Sequence, residues 1–392
     1  MSQRLSIAIS ALAALVLSAC SGGTAVAPVA GMPSSSQHVA PNATTQYLYV
    51  YNAGKPGVYS GEYARYGLSK LSLLETTAAT GAGSIEAFDS GKPYFVDEAT
   101  PSGYGVYLQP VKNHTVRGQQ QFYGIPCQSP SLAIGPTGDF YVVQYCSTNV
   151  LKYAPGVKQG SPKKPIAKYT GGNLGQGGIT NPTYAVVDSS GNLYVGDNGG
   201  GVTYFAAGSK KGVVAFKTGY SSNVTQMVAD SHGDVWSVHA PNPAAVYFGD
   251  KTSCVPNPSG SIVRNEYGEH FSKGRLVQHL YSPVTTSPVF SNAPVSIAID
   301  SNGRIYTGNQ NSGVKAVVLD FDPGKSCPND GLSFTTSMGA APQVAVDNQG
   351  NFYVTNYGAN SISQYEGGTT TRIRQITQKA SLVNITYATV GP

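Results

Sequence analysis

Asn181-Pro-Thr-Tyr-Ala-Val-Val-Asp-Ser-Ser-Gly-Asn-Leu-Tyr-Val195 is the stretch that decides the fold. Small and β-branched residues lead into an Asp-x-x-Gly-Asn turn, and an aromatic between aliphatics leads out of it, which writes two antiparallel strands joined tightly. The phrase returns as Ala341-Pro-Gln-Val-Ala-Val-Asp-Asn-Gln-Gly-Asn-Phe-Tyr-Val354. Ser131–Val143, Met227–Val238 and Val295–Thr307 carry it clearly, and Ile85–Val96 carries it in degenerate form. Neither half has helical periodicity.

That gives six complete hairpins, and a seventh is divided between the two ends of the chain. Tyr47-Leu-Tyr-Val-Tyr-Asn52 reads as a second strand without its first, while Asn384-Ile-Thr-Tyr-Ala-Thr-Val390 matches the first-strand phrase Asn181–Val187. Repeats of 40 to 50 residues built from short strands are the signature of a β-propeller. The expectation is an all-β, seven-bladed β-propeller closed by pairing of the N- and C-terminal strands, with six blades as the alternative count. Closure would remove the open edges through which sheets aggregate.

In each turn Asp188, Asp230, Asp300 and Asp347 are placed to accept backbone N–H groups, and the glycine three residues later takes a positive φ. The competing role for these aspartates is calcium ligation. No copy carries the dense oxygen series of a calcium loop, so turn formation is the preferred reading.

The first residues indicate where the domain lives. Arg4 precedes an apolar run from Leu5 to Leu17 that is too short to span a bilayer and ends in Leu17-Ser-Ala-Cys20. Residues 1–19 are expected to be an export signal, 20–45, rich in Ala, Ser, Pro and Gly, a flexible tether, and 46–392 the propeller. With Arg4 removed the formal charge falls from +5 to +4, without a long basic run, which argues against a nucleic-acid partner. Charged residues make up only 11% of the chain, so Tyr, Ser, Thr and Asn must cover much of the surface.

Five cysteines are present. Cys127 and Cys146 flank one hairpin at similar distances from its turn, predicting a disulfide between them; Cys254 and Cys327 follow similar phrases in adjacent repeats and pair by elimination. The close Cys-x-x-Cys spacing of a structural metal site is missing.

Two features suggest where a ligand would bind. The aligned aromatics Tyr49, Phe95, Tyr141, Tyr194, Trp236, Tyr306 and Tyr353 are regularly spaced except for a 70-residue step after Trp236, which marks an insertion within 241–292 that reads as loop. Its most charged portion holds Arg264, Glu266, Glu269, His270, Lys273 and Arg275. Three residues after each aromatic stand Asn52, Glu98, Gln144, Asp197, His239, Asn309 and Asn356, a polar side chain in every copy. These seven would line a polar ring at the mouth of the channel, or would satisfy backbone groups at strand ends.

Leu17-Ser-Ala-Cys20 resembles the bacterial lipobox, which implies cleavage before Cys20, a lipid on its thiol and anchorage in the cell envelope, with Ser21 implying the outer membrane in a diderm organism. Phe352-Tyr-Val-Thr-Asn356, Leu193-Tyr-Val-Gly-Asp197 and Leu48-Tyr-Val-Tyr-Asn52 resemble NHL-repeat and Tyr-Val-Thr-Asn-repeat propellers. Those families include binding scaffolds, cell-surface proteins, lyases and calcium-dependent lactonases. In gluconolactonase-like members the metal-binding Asp sits in a Pro-Asp-Gly before an inner strand; Pro130-Ser131, Pro182-Thr183, Pro294-Val295 and Pro342-Gln343 lack it. Neither a Gly-x-Ser-x-Gly elbow nor a phosphate loop occurs. The expectation is therefore a monomeric, lipid-anchored binding or scaffolding module for a protein or glycan of the envelope, with no cofactor. The alternative is a metal-dependent lactonase-like hydrolase or lyase that uses a divalent cation such as calcium with Glu98, Asp197, His239 and Asn309.

Overall fold

A computed structural model of the protein describes residues 46–52, 62–78, 83–89, 92–100, 103–108, 119–123, 131–144, 148–155, 164–170, 179–198, 201–217, 224–230, 232–239, 247–248, 263–282, 293–310, 316–325, 334–336, 343–356, 361–377 and 385–391. Every regular element among them is a strand, arranged as six antiparallel sheets of four strands and one of five. A representative sheet runs Pro182–Val187, Leu193–Asp197, Gly201–Phe205 and Val213–Lys217 in simple up-and-down order.

Burial falls steeply from the first strand to the fourth. All residues of Pro182–Val187 and Leu193–Asp197 are buried, while Arg372–Thr377, the fourth strand of another sheet, is mostly exposed. Valine, isoleucine and tyrosine fill the first two strands because both of their faces pack against other protein. First strands neighbour one another in the order Gly83–Asp89, Leu132–Ile134, Pro182–Val187, Val224–Ala229, Ala293–Ile299, Gln343–Val346 and Ile385–Gly391, and the last also lies beside the first. Side chains clasp them together. Thr183 Oγ1 donates to Val224 O at 2.8 Å, and Ser296 Oγ accepts from Val344 N at 3.2 Å. Ile385–Gly391 pairs antiparallel with Tyr47–Asn52, placing Leu48 opposite Val390 in a cluster with Val50, Tyr66, Ala345 and Tyr353.

Because the strands alternate in direction, the hairpins joining first to second and third to fourth strands emerge at one edge of each sheet. These edges adjoin one another: a Cβ on Gly233 would lie 3.0 Å from Ser189 Oγ of the preceding sheet. We call this side the turn face and the opposite side, where second strands end, the return face. The turns are built as the sequence implies. Asp188 Oδ1 accepts from Ser190 N and Asn192 N, both at 2.9 Å, and Asp347 Oδ1 does the same for Gln349 and Asn351. Gly191 and Gly350 adopt φ of 83° and 84°, where any Cβ would be strained. The aligned tyrosines bond along the same face: Tyr194 Oη accepts from Gly274 N at 3.0 Å and Tyr306 Oη from Gly368 N at 2.9 Å, each in the following sheet. Burial pushes both hydroxyls well above the usual phenol range, so they remain neutral hydrogen-bonding groups.

The structure differs from the sequence reading within 241–292. Val263–Ser272 and Arg275–Ser282 are long strands of the five-stranded sheet, pairing with each other, and Val263–Ser272 also pairs with Val235–His239. The Asn, Pro, Gly and Ser content of 241–292 reads as loop, yet Phe271 and Leu280 of this hairpin are fully buried. The extra length is therefore concentrated in 240–262, the connection between second and third strands, of which Tyr247–Phe248 pairs with Val263 and Arg264.

Candidate functional site at the return face

Position by position, the seven polar residues end or nearly end second strands. Asn52, Asp197, His239 and Asn356 are the last residues of Tyr47–Asn52, Leu193–Asp197, Val235–His239 and Phe352–Asn356. Gln144 closes Phe140–Gln144, Asn309 is the penultimate residue of Ile305–Gln310, and Glu98 lies within Lys92–Thr100. The side chains of Asn52, Glu98, Asn309 and Asn356 lie outside the described residues, as do Cys20, Cys127, Cys146, Cys254 and Cys327. Gln144, Asp197 and His239 are all buried.

Asp197 is bound to its own sheet's entry. Its Oδ2 accepts from Thr180 N at 2.5 Å and from Asn181 N at 3.1 Å, and its Oδ1 accepts from Thr180 Oγ1 at 2.7 Å. A carboxylate holding three donors fixes the segment that starts Pro182–Val187. Gly196 beside it lets the next sheet close in, since a Cβ there would stand 2.5 Å from Val224 Cγ1.

His239 belongs to a different arrangement. Ser237, His239 and Glu269 share one face of the five-stranded sheet, because 237 and 239 alternate along one strand and Glu269 lies opposite Ser237 on the next. Glu269 is fully buried; its Oε1 is 2.7 Å from His239 Nε2, and its Oε2 accepts the Ser237 hydroxyl. The strands come close here because residue 268 is glycine: a Cβ would meet Ser237 O at 2.1 Å. The carboxylate takes one bond from each partner, so Ser237 and His239 are bridged through Glu269. That geometry anchors the strand end and differs from a serine nucleophile bonded to its base.

Ser237 and Glu269 were missed from sequence. Glu269 was visible only as part of a charged stretch, and its partner across the ladder is 32 positions away. The signal that could have found it is Gly268-Glu269 in a strand whose next inward residue is Phe271. Among the described residues no three His, Cys, Asp or Glu side chains converge in a group able to hold a metal ion.

No family model matches the chain, and no curated protein matches it. Solved structures do. A candidate 6-phosphogluconolactonase from Bacteroides fragilis superposes with a TM-score of 0.60 at 12% identity, covering 90% of this chain and 99% of that one. Apo AztD from Citrobacter koseri gives 0.53 at 10% identity, covering 89% and 98%. At such identities the likeness concerns architecture alone. Together with the repeated antiparallel sheets, it makes this chain a β-propeller.

Proposed function

We propose that the protein is an NHL- or Tyr-Val-Thr-Asn-type propeller lipoprotein of the cell envelope, exported by residues 1–19 and anchored through Cys20. Its seven blades close by pairing of the terminal strands, and it acts as a binding module for a protein or glycan. The neighbour order of the first strands, in which Ile385–Gly391 touches both Gln343–Val346 and Gly83–Asp89, supports the count and the closure. One observation carries the binding role: the buried Ser237–Glu269–His239 cluster fixes the end of the strand from which the 240–262 connection departs, the longest stretch between a second and a third strand. Elsewhere second and third strands are joined by stretches as short as 198–200. Long loops on fixed scaffolds are where recognition is usually placed.

The rival is the metal-assisted hydrolase or lyase. Asp197 and His239, two of its four candidate side chains, already bond to Thr180, Asn181 and Glu269, which favours their structural use. The deciding experiment is metal analysis of the mature protein and of an Asp197→Ala/Glu98→Ala variant, run beside binding to envelope glycan and protein fractions with 249–262 replaced by a short glycine-serine link. Binding lost on replacement, without stoichiometric metal, supports the module. A divalent cation lost in the variant, together with turnover of a lactone, overturns it.

A further inference from the structure

We infer that the turn face is a membrane-docking surface, which holds the propeller against the anionic lipid bilayer that carries its anchor. This rests on the lipid-anchor reading above only for its orientation.

Three observations converge. The first is charge. The described parts of the connections between third and fourth strands hold Lys70, Lys164, Lys210, Lys211, Lys273 and Lys325, all exposed, against the carboxylates of Asp322 and Glu366. Of the carboxylates that the first-to-second hairpins add to the same face, Asp139, Asp188, Asp300 and Asp347 are buried in their turns and Asp230 and Asp234 half-buried, so the exposed charge is mainly cationic. Asp322 is paired with Arg304 at 2.7 Å, and none of the six lysines has an ion-pair partner.

The second is apolar exposure. Every large hydrophobic side chain exposed among the described residues, at 39% to 59%, falls within the first three residues of a fourth strand or, for Ile166, just before one, where that strand leaves the turn face. Cation and aliphatic come as pairs: Lys70 with Leu73, Lys164 with Ile166, Lys211 with Val213, Arg275 with Val277 and Arg372 with Ile373. Cations rimming short aliphatic stretches match a headgroup region, where the charge meets lipid phosphate and the side chain enters the acyl boundary. A purely polysaccharide partner would leave seven exposed aliphatics unused.

The third is where the chain enters. Gln46 is buried at the turn face, its Oε1 accepting from Asn348 N in the Asp347 turn at 2.8 Å. The described chain therefore enters the propeller at Gln46, on the face that carries the exposed lysines. A random-coil chain of the length and the Ala-, Ser-, Pro- and Gly-rich composition of 20–45 spans about 25–30 Å on average, short enough to hold the turn face near the bilayer and leave the return face outward.

The test uses the mature chain from residue 20 with Cys20→Ser, so that no lipid contributes. Co-sedimentation is measured with phosphatidylcholine vesicles with and without phosphatidylglycerol. Binding to the anionic vesicles is expected, weakened about tenfold or more by Lys210→Glu/Lys211→Glu/Lys273→Glu and abolished by high salt. Val213→Ser/Val277→Ser should weaken it again at unchanged melting temperature. On the lipidated protein, an impermeant amine reagent should label Lys211 and Lys273 in detergent and spare them when vesicles are present. Equal binding to neutral and anionic vesicles, no binding to either, an unaffected triple variant, or capture by a soluble anionic polysaccharide without vesicle binding would each overturn the docking surface. A mass measurement of the N-terminal peptide tests the anchor separately, so either idea can fail alone.

Discussion

At the turn face Asp188, Asp230, Asp300 and Asp347 do one job four times, whereas at the return face Asp197 and His239, in equivalent positions of adjacent sheets, do two different ones. The turn aspartates each accept two backbone N–H groups within four residues, so the solution is local and can be copied with the repeat. Asp197 reaches back 17 positions and His239 forward 30, so each depends on what its own sheet places nearby. A duplicated sequence can thus preserve one face while the other diverges, which is what a family needs if one side is scaffold and the other selects partners.

The largest effect should come from the seam that both faces share. Deleting 381–392 removes Ala388 and Val390 from the cluster around Leu48 and Tyr66, and should cost at least about 5 kcal/mol, seen as loss of a single cooperative urea transition. A truncated protein that melts unchanged would sink the closed seven-blade reading. Next comes the return face: Glu269→Ala strands a buried imidazole and hydroxyl and should cost about 3–5 kcal/mol by chemical denaturation, with Glu269→Gln milder. On the turn face Asp188→Ala, Asp300→Ala and Asp347→Ala should each cost about 1–3 kcal/mol and resemble one another, because each loses the same pair of N–H bonds. Asp347→Ala should be the worst of the three, since Tyr353 Oη also donates to it at 2.8 Å. A wide spread among the turn variants would break the contrast between the faces.

The smallest effect is acid sensitivity at Asp139. Burial pushes its carboxyl upward, but hydrogen bonds from Lys152, Thr137 and Tyr141 outweigh burial and hold it below the usual carboxylate range. Lys152 Nζ lies 2.6 Å from Oδ2. A carboxyl depressed in the folded state stabilises above its unfolded value of about 4 and loses that contribution as pH falls through the folded value. Asp139→Asn should therefore lower stability by about 1 kcal/mol at neutral pH and flatten the decline below about pH 4, measured as melting temperature against pH.

The hairpins, their turns and the positions of Asp197 and His239 could be read from the sequence because each is a local pattern: a period of two on either side of Asp-x-x-Gly. What Asp197 and His239 bond to could not be read, since Thr180 and Glu269 come from other parts of the ladder and no local rule names them. The outer strands of the 224–282 sheet were misread for a related reason. Val263–Ser272 puts Glu269 in the same register as Tyr267 and Phe271 and so keeps no clean polar and apolar alternation, and only the pairing with Val235–His239 shows Glu269 to be interior. The disulfide expected between Cys127 and Cys146 rests on a hairpin whose described part pairs Leu132 with Val142; non-reducing peptide mapping that joins other cysteines would defeat it.

The pairing of Tyr47–Asn52 with Ile385–Gly391 has a consequence in time. Tyr47–Asn52 must wait for the much later Ile385–Gly391 before its first-strand neighbour exists, so the sheet that holds it is assembled after the other six. Such distant pairing makes folding slow and leaves this sheet open until Ile385–Gly391 has been made, so its completion depends on the last of the strands that it joins.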